Sequence, residues 1–261
     1  LTVRMVKELV ALVEGCNLEG VESMLTKVED ATIVAERMVQ CQALFRRMGK
    51  PTHVMIEYHY TNSEHIESIR SHGLLTVEDR IAKGIYMERK ALPFGNGIYT
   101  GNNPFAFQSY GEVGLLVAVL KGKAYRVRGQ GNYAQPFQVR PGMDTVVGNQ
   151  HSDAPFHNEE SVLQASAQVL PLAKFDPQLL DTPASAYYLL ALHEQIQHQI
   201  LDVYFNGSVK TSVPRRLIDR GITTIPRNQN YYESVASLVQ SSNTAASNNI
   251  QKKERSRVIR Y

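Results

Sequence analysis

The chain has 261 residues, with 28 Lys and Arg against 25 Asp and Glu, which gives a formal net charge of +3. With 43% hydrophobic and 20% charged residues, the composition is that of a globular protein and excludes collagen-like, coiled-coil and charge-rich disordered chains. Cys16 and Cys41 are too few for a disulfide framework. Because there is also no recognisable signal and no apolar run of membrane-spanning length, we expect an intracellular protein, cytoplasmic or nuclear.

The first part of the chain, residues 1–51, is predicted to form a helical N-terminal region. Apolar residues recur at the spacing of one helical face over residues 5–13, and weaker patterns predict a second helix at 21–25 and a third at 33–45. Basic residues and then Pro51 close the third helix.

A central part, residues 52–176, changes to β-branched and aromatic runs separated by Gly and Pro. The pattern predicts an α+β domain with a sheet at its centre. Strands are expected at residues 54–60, 115–120, 125–127, 145–147 and 161–164, and a helix from Ser63 to Arg70 that ends at Gly73.

The last part, residues 177–261, is predicted to be a helical extension that starts with a helix after Thr182. His193 and His198 on this helix are five residues apart, so they face different sides and are expected to be solvated rather than to bind a metal. Basic residues between Lys252 and Arg260 form the C-terminal end, which could contact nucleic acid.

The densest unusual cluster is Gly95–Asn96–Gly97–Ile98–Tyr99, with Tyr110 eleven residues after Tyr99. Glycine at position 97 lets the backbone come close to a ligand or to a neighbouring strand. The two tyrosines could form opposite walls of a slot for a flat ring, or both could be ordinary core residues.

Two further clusters carry polar groups at strand ends. His59, Tyr60 and Thr61 end the first predicted strand, where a histidine could bond a sugar hydroxyl or serve a structural role. Glu159 and Glu160 begin a late apolar strand, where a carboxylate is expensive to bury unless its charge is used. A solvated acidic pair is the alternative.

Together these clusters resemble the catalytic domain of the poly(ADP-ribose) polymerase (PARP) class of ADP-ribosyltransferases, over about residues 52–175. That family shows a strand-end His, then Gly-x-Gly-Ile-Tyr with a second Tyr eleven residues later, then a Glu that opens a late strand. The order, spacing and residue types agree at His59, Tyr99, Tyr110 and Glu160. Similar matches are the stretch 144–148 and the Gln168–Val169 pair that follows Glu160.

The resemblance implies a split β-sheet core of the ADP-ribosyltransferase type and a pocket for NAD+ as substrate, with no metal. His59, Tyr99 and Glu160 would be the catalytic residues. His59, Tyr60, Thr61, Gly97, Tyr99 and Tyr110 would bind NAD+.

The implied reaction transfers ADP-ribose from NAD+ to a protein or nucleic-acid acceptor with release of nicotinamide, the chemistry of a pentosyl glycosyltransferase. We expect mono-ADP-ribosylation. Two positions depart from the family pattern: Tyr60 stands where the family has Gly, and Phe107 stands where it commonly has a Ser that bonds the carboxamide. The alternatives are an NAD+ glycohydrolase and a catalytically silent module that binds NAD or ADP-ribose.

Overall fold

The structure is a computed structural model that describes residues 2–85, 94–127, 140–149 and 159–207. The predicted basic C-terminal end lies outside these residues. Within them, no helix combines the length and the apolar character needed to cross a membrane.

Six α-helices are described. They are α1 (Thr2–Gly15), α2 (Val28–Arg47), α3 (Ile66–His72), α4 (Val77–Ala82), α5 (Pro183–Ile196) and α6 (Asp202–Tyr204), the last preceded by a π-helical turn, Gln197–Leu201. The structure supports the predicted start of one helix, α5, and the predicted end of another, α3. Thr182 Oγ1 caps α5 by accepting from the backbone N–H of Ser185, and Gly73, at φ +77°, ends α3 in a conformation that glycine adopts readily.

Eight strands form one mixed sheet. They are β1 (Val21–Ser23), β2 (Val54–Thr61), β3 (Ile98–Gly101), β4 (Val113–Leu120), β5 (Ala124–Val127), β6 (Thr145–Asn149), β7 (Glu159–Leu163) and β8 (Val169–Phe175). Their order across the sheet is β1-β8-β4-β2-β3-β7-β6-β5, and β5 and β6 are the parallel pair. The late strand β8 is therefore inserted between β1 and β4. The expected α+β class with a central sheet is confirmed.

The sheet changes character between β2 and β3. Strand β2 pairs with β4 along its whole length, from Val54 to Thr61. In the described residues, β2 meets β3 only where Tyr58 lies opposite Gly101. This junction separates the strands β1, β8, β4 and β2 from β3, β7, β6 and β5.

Apolar side chains cover both faces of β4, as its continuous apolar run predicts. On one face, Leu116 belongs to a core shared with Leu9 of α1, Met38 of α2 and Leu189 of α5. On the other face, alternate residues pack with α3, among them Leu115, Val117, Val119, Ile66 and Ile69. The N-terminal helices and α5 thus contribute to the same core as the sheet.

The prediction of a helix at residues 21–25 is wrong. Val21–Ser23 is strand β1, whose residues pair with Phe175, Lys174 and Ala173 of β8. The helical spacing of the apolar residues was real, but pairing with the edge of β8 determines the conformation of this short segment. Strands β3 and β8 and helix α4 were not predicted.

Candidate functional site

The predicted Glu lies in a row of residues that crosses the sheet. Tyr58 of β2 is opposite Gly101 of β3, Gly101 is opposite Glu160 of β7, and Glu160 is opposite Gly148 of β6. Directly opposed residues send their side chains to the same face of a sheet. Glu160 is therefore flanked by two residues that have no side chain.

Aromatic rings cover both of these glycines. A Cβ added to Gly101 would lie 2.5 Å from Phe107 Cδ2, and one added to Gly148 would lie 2.5 Å from Phe94 Cζ. Phe94 is fully buried and Phe107 is 7% exposed. The Glu160 side chain thus lies between two phenylalanine rings on the same face of the sheet.

This apolar setting explains the electrostatics of Glu160. The residue is 5% exposed, and its Oε2 has no hydrogen-bond partner among the described residues. Burial raises the pKa of the Glu160 carboxyl from 4.5 to about 7, because desolvation disfavours the charged form. The site therefore holds a carboxyl group that has a pKa of about 7 and one oxygen without a hydrogen-bond partner among the described residues.

Glu159, the alternative candidate, is engaged elsewhere. Its carboxylate forms an ion pair with Arg126, and its backbone N–H donates to Asn102 Oδ1 at 3.1 Å. Successive side chains of a strand point to opposite faces. The geometry thus favours Glu160 over Glu159 as the residue of this site.

His59 is held by the backbone of β3. The distance between His59 Nδ1 and the carbonyl oxygen of Tyr99 is 2.6 Å. A carbonyl can only accept, so Nδ1 carries the proton. Burial lowers the pKa of His59, so the neutral ring offers Nε2 as an acceptor. The predicted bond to a sugar hydroxyl would therefore have the hydroxyl as donor.

Tyr99 forms hydrogen bonds within its own loop, and Gly97 packs against the neighbouring strand β7. The Tyr99 hydroxyl donates to the carbonyl of Gly95 at 2.8 Å and accepts from the N–H of Phe94 at 3.0 Å. Gly97, at φ +152°, lies so close to β7 that a Cβ would be 2.7 Å from the carbonyl oxygen of Leu163. The sequence left open whether the Gly97 backbone approaches a ligand or a neighbouring strand. The structure shows that it approaches the strand β7.

Tyr60 turns its side chain into the core. The hydroxyl donates to the carbonyl of Pro104, and the ring meets Phe175 edge to face, with centroids 5.9 Å apart. Burial raises the pKa of Tyr60 well above its usual range. The bulky replacement for the family's glycine is therefore packed on the face that holds α1 and α2.

The second tyrosine lies at the end of β2. Gly111 packs on the strand end so closely that a Cβ would lie 2.5 Å from the carbonyl carbon of Thr61. Tyr110 is 51% exposed, and its ring centroid is 6.1 Å from that of Phe107 with a tilt of 36°. Phe107 thus lies beside the predicted stacking ring as well as over Gly101.

The matches at 144–148 and 168–169 have structural explanations. Asp144 accepts from Lys50 Nζ at 2.7 Å and from the backbone N–H of Lys123 at 2.8 Å. Gln168 accepts from the N–H groups of Gln164 and Ala165 and donates to the carbonyl of Leu120. The Gln168 contacts hold the residues that directly follow β7, and the Asp144 contacts hold the residue before β6 against Lys50 and the Lys123 backbone.

Two polar arrangements were missed by the sequence analysis. Tyr58 Oη lies 2.7 Å from His193 Nδ1, so His193 is not the solvated helix residue that was predicted. Glu57 is fully buried and bonded to Thr100, Ser161 and Lys121. A carboxylate inside the apolar run of β2 was the available signal. Across the described ranges, no group of three His, Cys, Asp or Glu side chains is arranged to hold a metal ion.

Comparison with known proteins gives similarity at the level of structure. No family model and no curated protein matches the chain. The crystal structure of the TASOR pseudo-PARP domain is similar with a TM-score of 0.44 and 10% identity, over 55% of this chain and 76% of that chain. The PARP domain of Arabidopsis RADICAL-INDUCED CELL DEATH1 is similar with a TM-score of 0.40 and 17% identity, over 65% and 93%. The chain is thus similar, at low identity, to two PARP-type domains.

Proposed function

We propose that this domain transfers ADP-ribose from NAD+ to a macromolecular acceptor and releases nicotinamide, as a PARP-like mono-ADP-ribosyltransferase. One observation carries the proposal. Glu160 is buried in an apolar setting and keeps an oxygen that has no partner among the described residues. An unsatisfied buried acceptor is unusual in a folded protein, and a catalytic role is one of its recognised explanations.

The chemistry gives this carboxylate a role. As the bond from nicotinamide to ribose breaks, positive charge develops on the sugar, and a fixed carboxylate nearby stabilises that charge. Preorganised charge of this kind in a site that excludes water contributes several kcal/mol to a barrier. The sugar 2′-hydroxyl is the donor that the free Glu160 oxygen would accept from. Only the ionised form of Glu160 can act in this way.

The other site residues would hold the substrate. His59 Nε2 would accept from a ribose hydroxyl while Nδ1 stays on the Tyr99 carbonyl. The backbone of Tyr60 and Thr61 would meet the nicotinamide carboxamide, and Tyr110 would stack on the ring. Because Phe107 covers Gly101, its side chain would have to rotate before a flat ring could lie between Tyr110 and Glu160.

The experiment uses NAD+ labelled in the adenylate, with mixed protein and RNA as acceptors. Free nicotinamide and macromolecule-bound label are followed for the wild type, Glu160→Gln and Glu159→Gln. We expect release and incorporation in the wild type, loss of both in Glu160→Gln, and retention in Glu159→Gln, whose carboxylate pairs with Arg126. The size of the labelled product separates mono- from poly-ADP-ribosylation. Release without incorporation would instead assign an NAD+ glycohydrolase.

A second candidate, the catalytically silent module, is favoured by one specific observation. The Phe107 ring lies on Gly101, directly beside Glu160, and near the ring of Tyr110. If this ring permanently occupies the slot for nicotinamide, the wild type binds ADP-ribose but neither binds a nicotinamide analogue nor releases nicotinamide. Phe107→Ser would then gain a thermal shift with the analogue that the wild type lacks. Equal shifts in both proteins would contradict this candidate.

A further inference from the structure

A buried charged network lies behind the candidate site. Glu57 is fully buried, and its carboxylate has three partners. Lys121 Nζ lies 2.6 Å from Oε1, Ser161 Oγ donates to Oε1 at 3.1 Å, and Thr100 Oγ1 donates to Oε2. Thr100 and Ser161 are themselves buried. We refer to these four residues as the Glu57 network.

Each strand that carries a catalytic candidate contributes one member of this network. Thr100 directly follows Tyr99 on β3, and Ser161 directly follows Glu160 on β7. Because side chains alternate along a strand, Thr100 and Ser161 point to the face opposite Tyr99 and Glu160. The network therefore links these strands on the face opposite Tyr99 and Glu160, which is the face that Glu57 shares with His59, two residues further along β2.

The Glu57 network spans the boundary between β2 and β3, where backbone pairing between neighbouring strands is shortest. In the described residues, β2 meets β3 only where Tyr58 lies opposite Gly101. Besides the bond from His59 to the Tyr99 carbonyl, the bond from Thr100 to Glu57 links these two strands through side chains, and the bond from Ser161 extends the link to β7. Hydrogen bonds to a charged group are directional and short, so they fix relative position as well as proximity.

Stability alone does not account for a carboxylate at this place. Desolvating a charge is so unfavourable that well-packed apolar side chains of similar volume often hold a core equally well. Apart from Thr61 at its end, the other buried residues of β2 are apolar or aromatic. What a buried carboxylate adds is a fixed geometry among its three partners.

We propose that Glu57 is a positioning residue for the site: through Thr100 and Ser161 it fixes β3 and β7 against β2, and so sets Glu160 relative to His59 and Tyr99. Glu57 lies on the face opposite Glu160 and, being fully buried, does not touch the substrate. The inference rests on the proposed function for its effect on catalysis, but the placement of Glu160 is measurable without turnover.

The first test removes one hydroxyl at a time. Thr100→Val and Ser161→Ala are expected to lower kcat for nicotinamide release by about 10–100-fold with a smaller change in KM, since small misplacements of reacting groups have effects of this size. Thr100→Ser, which keeps the hydroxyl, is expected to restore kcat. Lys50→Met is the matched control, because it removes the Lys50–Asp144 ion pair elsewhere in the fold.

The second test follows the Glu160 carboxyl carbon by NMR as the pH is varied, in the wild type, Thr100→Val and Glu57→Gln. Displacement of β7 admits water to Glu160, so its titration midpoint is expected to fall from about 7 toward 4.5 in both variants. If both variants fold with unchanged midpoints and lose only thermal stability, as Lys50→Met does, Glu57 is a structural residue and the proposal is wrong. If the wild type releases no nicotinamide, the transferase proposal fails, while this titration still decides the role of Glu57.

Discussion

Glu160 and Gly101 lie directly opposite each other on β7 and β3, so the carboxylate of the site borders a residue without a side chain. The space above Gly101 is filled by the Phe107 ring. Within the described part of the chain, Glu160 is consequently flanked by hydrocarbon, and its Oε2 meets no donor. This relationship determines both the proton affinity of the site and the room left for a ligand.

The activity of the domain is expected to rise with pH through neutrality. The pKa of Glu160 is raised to about 7 by burial, and the proposed chemistry needs the ionised form. Nicotinamide release should therefore increase about tenfold for each pH unit below 7 and level off above 8. The measurement is kcat/KM for release between pH 5.5 and 8.5. A rate that is constant across this range would contradict the role of Glu160.

Glu160 is also expected to make the fold less stable at alkaline pH. Its pKa is higher in the folded than in the unfolded chain, so the folded state binds more protons between pH 4.5 and 7. The free energy of unfolding therefore falls as pH rises through this window, by about 3 kcal/mol. Urea unfolding at pH 4.5 and 8 measures the change for the wild type, Glu159→Gln and Glu160→Gln, and the first two should carry this contribution on top of those of other groups such as His193. In Glu160→Gln the loss should shrink by that amount.

Gly101→Ala is expected to destabilise the domain by about 1–3 kcal/mol, because a Cβ would overlap the Phe107 ring. The double variant Gly101→Ala with Phe107→Ala removes the collision and should recover part of this loss. Gly15→Ala serves as the control, since a Cβ there meets no atom within 4 Å. Chemical unfolding of the wild type, Gly101→Ala, Phe107→Ala and the double variant measures the coupling. Additive losses would show that Phe107 does not cover Gly101.

The bond between Tyr58 and His193 joins β2 to α5, and it is expected to be sensitive to acid. Burial lowers the pKa of His193, so the unfolded chain binds the proton more readily below about pH 6.5 and stability falls as pH decreases. His193→Gln should reduce this acid sensitivity in thermal unfolding between pH 5 and 7. His53→Gln, at an exposed position, should leave it unchanged.

Tyr58→Phe tests the same link without removing the histidine. The loss of the 2.7 Å bond is expected to lower the free energy of unfolding by about 1 kcal/mol at pH 7. Equal stability of Tyr58→Phe and the wild type would show that the contact contributes nothing.

Strands and helices whose own sequence carries a complete pattern were predicted correctly. Val113–Leu120 is a continuous apolar run that needs no tertiary information, and Pro183–Ile196 has both a cap and a helical period. Val21–Ser23 is too short for its own preference to decide, and its strand conformation depends on β8. The strand Ile98–Gly101 is short and follows glycines, so only its partner β7 reveals it.

The sequence was sufficient to identify residues of the candidate site, but not the side-chain contacts around them. The motif spacing identified Glu160 and His59, whose contacts the structure then describes. That Phe107 lies on Gly101 depends on a loop returning across the sheet, which no local pattern encodes. Glu57 was detectable, because the reasoning that singled out a carboxylate in β7 applies equally to one inside β2.

The insertion of β8 between β1 and β4 has a consequence for synthesis on the ribosome. The edge of β4 that pairs with β8 has no partner until Val169–Phe175 has left the exit tunnel. An unpaired apolar strand edge is prone to aggregation. We expect nascent chains stalled before Val169 to be cut readily by protease and chains stalled well beyond Phe175 to resist it. Emergence of β8 from the ribosome thus determines when the nascent chain is protected from aggregation with other chains.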